Sequence, residues 1–104
     1  MLSLVMLLFV LSTLGAQTIR LTGVVTDEQG KPLEGATIFI AERNAGSATD
    51  AEGRFELWII DPGTVQLKVS FIGFEEQVRL LDLQPDIPMP DQVFRLREKT
   101  TQLE

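Results

Sequence analysis

Thr22-Gly23-Val24-Val25-Thr26-Asp27-Glu28-Gln29-Gly30-Lys31-Pro32-Leu33-Glu34-Gly35-Ala36-Thr37-Ile38-Phe39-Ile40 and, after a loop, Gly46-Ser47-Ala48-Thr49-Asp50-Ala51-Glu52-Gly53-Arg54-Phe55 decide the fold of this chain. Two strand patterns meet in the first block at a turn. Val25-Thr26-Asp27 runs into Glu28-Gln29-Gly30, where glycine takes a positive φ without a Cβ penalty. Pro32 fixes its own φ and keeps Lys31 extended. Gly35-Ala36 opens the next strand, with Ala36, Ile38 and Ile40 on one face and Thr37, Phe39 and Ala41 on the other. The second block repeats the device. Asp50-Ala51-Glu52-Gly53 is a turn, and Phe55, Leu57 and Ile59 leave it at a period of two.

Outward from these blocks the same period continues. Ile19 to Thr26 is the first predicted strand and Ala36 to Glu42 the second. Glu42 to Ser47 reads as a polar loop, Ala48-Thr49 as a short strand, and Arg54 to Ile60 as the next. Asp61-Pro62-Gly63 is a turn signal. Thr64 to Ile72 follows, with Val65, Leu67, Val69 and Phe71 on its core face. Phe74 to Leu81 is its partner, although Gln77 and Arg79 disturb the alternation. Pro85, Pro88 and Pro90 remove ladder donors from the connection before a last strand at Val93 to Leu96. Short strands at turn-marked intervals, without a helical period, predict an all-β, small antiparallel sandwich of about seven strands.

Three blocks carry a resemblance to a known family. They are Gly23-x-Val25-x-Asp27-x-x-Gly30-x-Pro32-Leu33-x-Gly35-Ala36-x-Ile38, then Asn44-x-Gly46-Ser47-x-Thr49-Asp50-x-x-Gly53-x-Phe55, then Val69-Ser70-Phe71-Ile72-Gly73-Phe74-Glu75. In order and spacing, over roughly Ile19 to Leu81, the chain resembles the carboxypeptidase regulatory-like domain. That resemblance implies a Greek-key sandwich of the transthyretin (prealbumin) type. In bacteria such domains often stand at the N-terminus of TonB-dependent outer-membrane receptors of the glycan-importing type, after a signal peptide. Residues 94–104 look like the linker that precedes the plug of those receptors.

Residues 1–16 hold no charged residue, and Leu2 to Leu11 is nearly all apolar. About 20 residues are needed to cross a bilayer as a helix; this run suits a secretory signal, with Gly15-Ala16 as small residues before the cut. The absence of Lys or Arg before it, and Leu14 at the third position before the cut, depart from that pattern. The expected organisation is a signal over residues 1–16, a domain over 17–98, and a linker over 99–104. With no apolar partner, Lys99 to Glu104 are expected to be mobile.

Charge and missing residue types narrow the function. Nine basic residues stand against fifteen acidic ones, a net charge of −6. An acidic surface repels phosphate backbones, which argues against nucleic acid as a partner, and no basic cluster offers a seat to anionic lipid. Histidine and cysteine are both absent. Zinc sites need imidazole or thiolate beside carboxylate, and a serine nucleophile needs a base near neutral pKa. Lys31 lies in a turn and Lys68 on an outward strand face. No catalytic, cofactor or metal residue is therefore expected. Asp50, Glu52 and Gly53 with Asn44 lack the ligand run of a calcium loop, so Asp50 is read as a cap on backbone amides. Asp27, Gly30, Pro32, Gly35, Asp50 and Gly53 are structural turn residues in this reading.

Trp58 is left as the candidate binding residue. By alternation it lies opposite the Phe55, Leu57 and Ile59 face. Two placements stay open: an exposed platform for a sugar or a protein, or packing under the Asp61–Gly63 turn. The expected partners are a receptor plug and barrel or periplasmic proteins, with glycan or peptide as ligand. Binding would run near Trp58 or through an exposed strand edge. The mature part is expected to carry no transmembrane span.

Overall fold

In the computed structural model residues 18–100 are described. The expected signal over residues 1–16, and 101–104 of the expected linker, lie outside them. Among the described residues seven strands form: β1 Thr18–Thr26, β2 Thr37–Ile40, β3 Ala45–Ala48, β4 Arg54–Ile60, β5 Gly63–Ser70, β6 Gln77–Leu83 and β7 Gln92–Arg95. They make two sheets, in the orders β4-β1-β7 and β3-β2-β5-β6. The chain crosses between the sheets after β1, β3, β4 and β6.

Alternation builds the core. In β4 the buried set is Phe55, Leu57 and Ile59, and in β5 it is Val65, Leu67 and Val69. β1 adds Ile19, Leu21 and Val25, while β2 adds Ile38 and Ile40. The one gap in the β1 set is Gly23, where a Cβ would stand 2.5 Å from the Phe55 ring. The missing side chain on β1 is the space that this ring fills, and Phe55 in turn meets Phe94 of β7 with ring centroids 6.4 Å apart.

Every strand pair but one is antiparallel. β1 and β7 run parallel, with Gly23 opposite Gln92 and Val25 opposite Phe94. A hairpin would force antiparallel pairing. β7, however, arrives from the other sheet through the proline-bearing connection, and no hairpin sets its direction. The sandwich is otherwise the all-β, seven-stranded antiparallel one expected from the sequence, with this one parallel pair added to it.

Several boundaries also move. β2 ends at Ile40 because Ala41–Arg43 coil into a 3-10 turn, closed by Asn44 in the left-handed region at φ 47. The expected loop over Glu42 to Ser47 is thus mostly this turn and β3, whose Ala45 lies opposite Ile40. β6 begins at Gln77 rather than Phe74, because the Phe74 amide closes a turn on the Phe71 carbonyl at 3.0 Å. Phe71 falls beyond β5 and is half-buried, its ring 5.5 Å from that of Phe74.

The C-terminal exit is docked further than its polar composition suggests. Glu75 donates its amide to the Arg97 carbonyl at 2.7 Å, and Lys99 donates to Gly73 at 2.9 Å. Phe74 and Glu98 form the bridge between these bonds. The expectation of a free segment from Lys99 onward is corrected at that residue. Backbone pairing holds it where side-chain burial would not.

A small polar knot joins the two sequence blocks. The Thr49 hydroxyl accepts from the Ala36 amide at 2.8 Å and donates to the Leu33 carbonyl. Its backbone amide donates to Ala36, and its carbonyl accepts from Gly35, both at 3.0 Å. Next to it, Val25 donates to the Gly53 carbonyl at 2.8 Å and accepts from Leu33 at 3.0 Å. Gly53, at φ 75, leaves no space for a Cβ, which would lie 2.5 Å from the Val25 carbonyl.

Phe55 is 4% exposed, and a core Phe→Ala change costs about 3–5 kcal/mol. Urea melts of Phe55→Ala are expected to show a loss in that range. A change within about 0.5 kcal/mol, typical of surface sites, would contradict the packing described.

Candidate functional site

The two predicted turns are built alike. Asp27 Oδ1 accepts from the amides of Gln29 at 2.9 Å and Lys31 at 2.8 Å. Asp50 Oδ1 accepts from Glu52 and Arg54, both at 2.9 Å. Gly30 and Gly53 supply the positive φ, at 84° and 75°, and Gly35 at 85° ends the loop that Pro32 begins. Each carboxylate turns its Oδ1 to the amides of its own turn, and these residues thereby shape the scaffold.

Trp58 stands on the outer face of β4, 58% exposed. Its indole N–H donates to Glu56 Oε1 at 2.9 Å. On the other oxygen of that carboxylate, Arg20 Nε donates to Oε2 at 2.8 Å. Arg20 is also the residue opposite Trp58 across the β1–β4 ladder. One carboxylate thereby orients an aromatic ring and a guanidinium side by side. The Arg20 hydrogen bond, and then that of Trp58, hold the Glu56 carboxyl below the usual carboxylate range. Ile60, two residues on and 57% exposed, extends the apolar surface.

The edges of the sandwich differ. In a strand, the N–H and C=O of one residue point to one edge and those of the next to the other. Leu96 donates to Thr26 of β1 at 2.8 Å, so Val93, Arg95 and Arg97 face outward. Arg79 Nη2 donates to the Val93 carbonyl at 3.0 Å. Gln77 Nε2 donates to the Arg95 carbonyl, and Arg97 receives the Glu75 amide. The Arg79 guanidinium also lies 3.9 Å from the Phe94 ring centroid and reaches Gln92 Oε1 at 3.1 Å. Gln77 and Arg79 therefore lie across the outer edge of β7. Their break in the apolar alternation of β6 was the available signal for this role, which the sequence pattern alone did not assign.

On the opposite side, Arg54 turns its N–H and C=O away from β1 to the Asp50 turn. By the same period Glu56, Trp58 and Ile60 face that edge. Ile60 O accepts from Arg43 Nη1 at 3.3 Å, and Arg43 Nη2 reaches Pro62 O at 2.8 Å. Glu56 and Trp58 are left between these two plugs. Among the described residues, no hydrogen bond meets their outward backbone groups. A groove of ≈ 760 Å³ runs along this edge, between Glu56–Asp61 and the Arg43–Gly46 segment.

Residues 21–104 match the CarboxypepD_reg-like domain family. This chain belongs to that family. Over 69 residues it is 33% identical to a TonB-dependent receptor of Formosa agariphila, a match covering 66% of this chain and 6% of the receptor. Over 83 residues it is 32% identical to the TonB-dependent receptor SusC of Bacteroides thetaiotaomicron, covering 80% of this chain and 8% of the receptor. The chain spans less than a tenth of the length of these curated relatives. Among solved structures it is similar to a chain from a type II cohesin–X-dockerin complex of Acetivibrio cellulolyticus. There the TM-score is 0.54 and the identity 17%, over 73% of this chain and 52% of the other. That likeness concerns the β-sandwich fold alone.

The chain's single tryptophan makes the Glu56 site observable. Because Glu56 is shifted downward in the folded state, its contacts persist above the usual carboxylate range and are lost as pH falls through the lowered value. Trp58 emission is expected to hold steady as ordinary carboxylates protonate and to change only at lower pH. Glu56→Gln should remove that change. A transition inside the ordinary carboxylate range, or one that survives Glu56→Gln, would contradict the arrangement.

Proposed function

We propose that this chain is an exported, non-enzymatic β-sandwich module. It acts as an interaction or spacing element on the periplasmic side of the outer membrane, in the manner of the N-terminal extension of a TonB-dependent receptor. Nutrient uptake, with a glycan as cargo, is the process it serves. The observation that carries this reading is the module-sized match: 66–80% of this chain aligns to 6–8% of two receptors. The absence of histidine and cysteine supports the lack of turnover, since common zinc and nucleophile–base sites need them. Leu2 to Leu11 supports export.

A second reading has one observation in its favour. Arg97 to Lys99 dock onto the Gly73–Glu75 bend, which suits a module closed on itself. Such a protein would be a free-standing periplasmic or surface binder of glycan or peptide.

Expression with the native N-terminus in a Gram-negative host separates these readings from a cytoplasmic one. The expected product begins near Gln17 and is recovered outside the cytoplasm. Intact Met1 on cytoplasmic protein would overturn export. In the native host, the receptor reading expects an antibody against residues 18–100 to detect its antigen in the outer-membrane fraction. A soluble periplasmic antigen would favour the free-standing binder.

A further inference from the structure

The two long sides of the sandwich are finished differently. Along β7, side chains of β6 lie across the edge and occupy its outward carbonyls. Along β4, Glu56 and Trp58 present open N–H and C=O groups, bounded by the Asp50 turn on Arg54 and by Arg43 on Ile60. β3 adds a second open edge. Thr49 pairs its backbone with Gly35 and Ala36, so by the period of two Ala48 and Gly46 turn away from β2. An unpaired edge is a template for another strand, and proteins usually blunt it.

We propose that the groove beside β4 receives an extended peptide segment of a partner protein, which adds to β4 as a strand at Glu56 and Trp58. The segment carries an apolar side chain on Trp58 and a basic one about three residues away. This rests on the interaction-module reading, though not on export or on the receptor. Three observations select such an occupant. First, the window is two open residues long and lies beside the Arg43–Gly46 segment. A single extended chain can enter it. A second copy would bring either its own β4 edge, which lies behind the same segment, or its β3 edge, whose Ala45-Gly46-Ser47-Ala48 carries no basic side chain for Asp61 and no large apolar one for Trp58. Second, Trp58 and Ile60 are 58% and 57% exposed and supply apolar contact. Third, the groove ends at Asp61, whose carboxylate makes no ion pair among the described residues. Asp61 follows Trp58 by three positions, about 10 Å at strand rise, and the whole chain is acidic at −6.

The probe is the peptide acetyl-Lys-Thr-Val-Val-Thr-Lys-amide, whose palindrome offers the apolar and basic pair in either strand direction. It is titrated into the full chain while Trp58 emission and residue-resolved amide exchange are followed. A saturable emission change is expected. Exchange at the Glu56 and Trp58 amides should slow by about tenfold or more, and Leu57, which faces β1, should stay as it was. N-methylation of both valines should abolish binding, and replacing both lysines by Glu should weaken it by about tenfold or more. No saturable response up to about 1 mM would overturn the proposal. Equal binding of the N-methylated peptide would show contact with the face and not strand addition. Equal binding of the Glu peptide would refute the basic partner. A chain that sediments as a dimer, with Glu56 and Trp58 protected before any peptide is added, would assign the groove to a second copy and overturn it too. None of these outcomes depends on where the chain resides in the cell.

Discussion

A single buried hydroxyl ties the two halves of the decisive sequence together. Thr49 is 5% exposed, and its Oγ1 serves the Ala36 amide and the Leu33 carbonyl together. Those two groups lie where the chain has left the Asp27 turn and has not yet entered a ladder. Neither has a strand partner, and burying them unpaired would cost about 1–3 kcal/mol each. With the hydroxyl in place, Ala36 is presented to β2 in the register that sends Ile38 and Ile40 into the core. Next to this knot, Val25 of β1 donates to Gly53, which carries the β1–β4 ladder one step past Arg54, and accepts from Leu33. The loop that enters β2 is therefore tied by its backbone to β1 of the other sheet, in addition to the packed side chains between the sheets.

From this corner the two sides of the sandwich diverge. The β6 side is closed by long polar side chains at positions that alternation would give to the core. Gln77 and Arg79 reach β7 carbonyls, and Arg79 lies over Phe94 with its charge beside an aromatic face, a favourable placement for a cation. The β4 side has only its two ends closed, by Asp50 and by Arg43. The same strand carries the Glu56-held pair of Trp58 and Arg20 on its outer face. Open backbone, an oriented aromatic ring and unshared acidity thus fall on one edge.

Much of this was legible in the sequence, and the parts that were not have a common cause. Phe55, Leu57 and Ile59 alternate because each residue's burial depends only on its own strand. The Asp27 and Asp50 turns are local too, since each carboxylate finds its amides within four residues. What escaped was set by distant partners. β7 runs parallel because its neighbour β1 lies some seventy positions earlier in the chain, beyond any local signal. β3 is hard to see because Ala45-Gly46-Ser47-Ala48 has little strand character and is held by its pairing with β2. Arg79 looked like a flaw in β6 until β7 was beside it. Thr49 looked like one more small polar residue before a turn.

Comparing Thr49→Val with Thr49→Ser in urea melts tests the Thr49 knot most directly. Valine keeps the shape and removes the hydroxyl, so a loss of about 2–6 kcal/mol is expected from two stranded backbone groups. Serine keeps both hydrogen bonds and gives up one methyl, so a loss of only about 1 kcal/mol is expected. Thr49→Val within about 0.5 kcal/mol of the unaltered chain, or equal losses in both variants, would contradict the central place given to this hydroxyl.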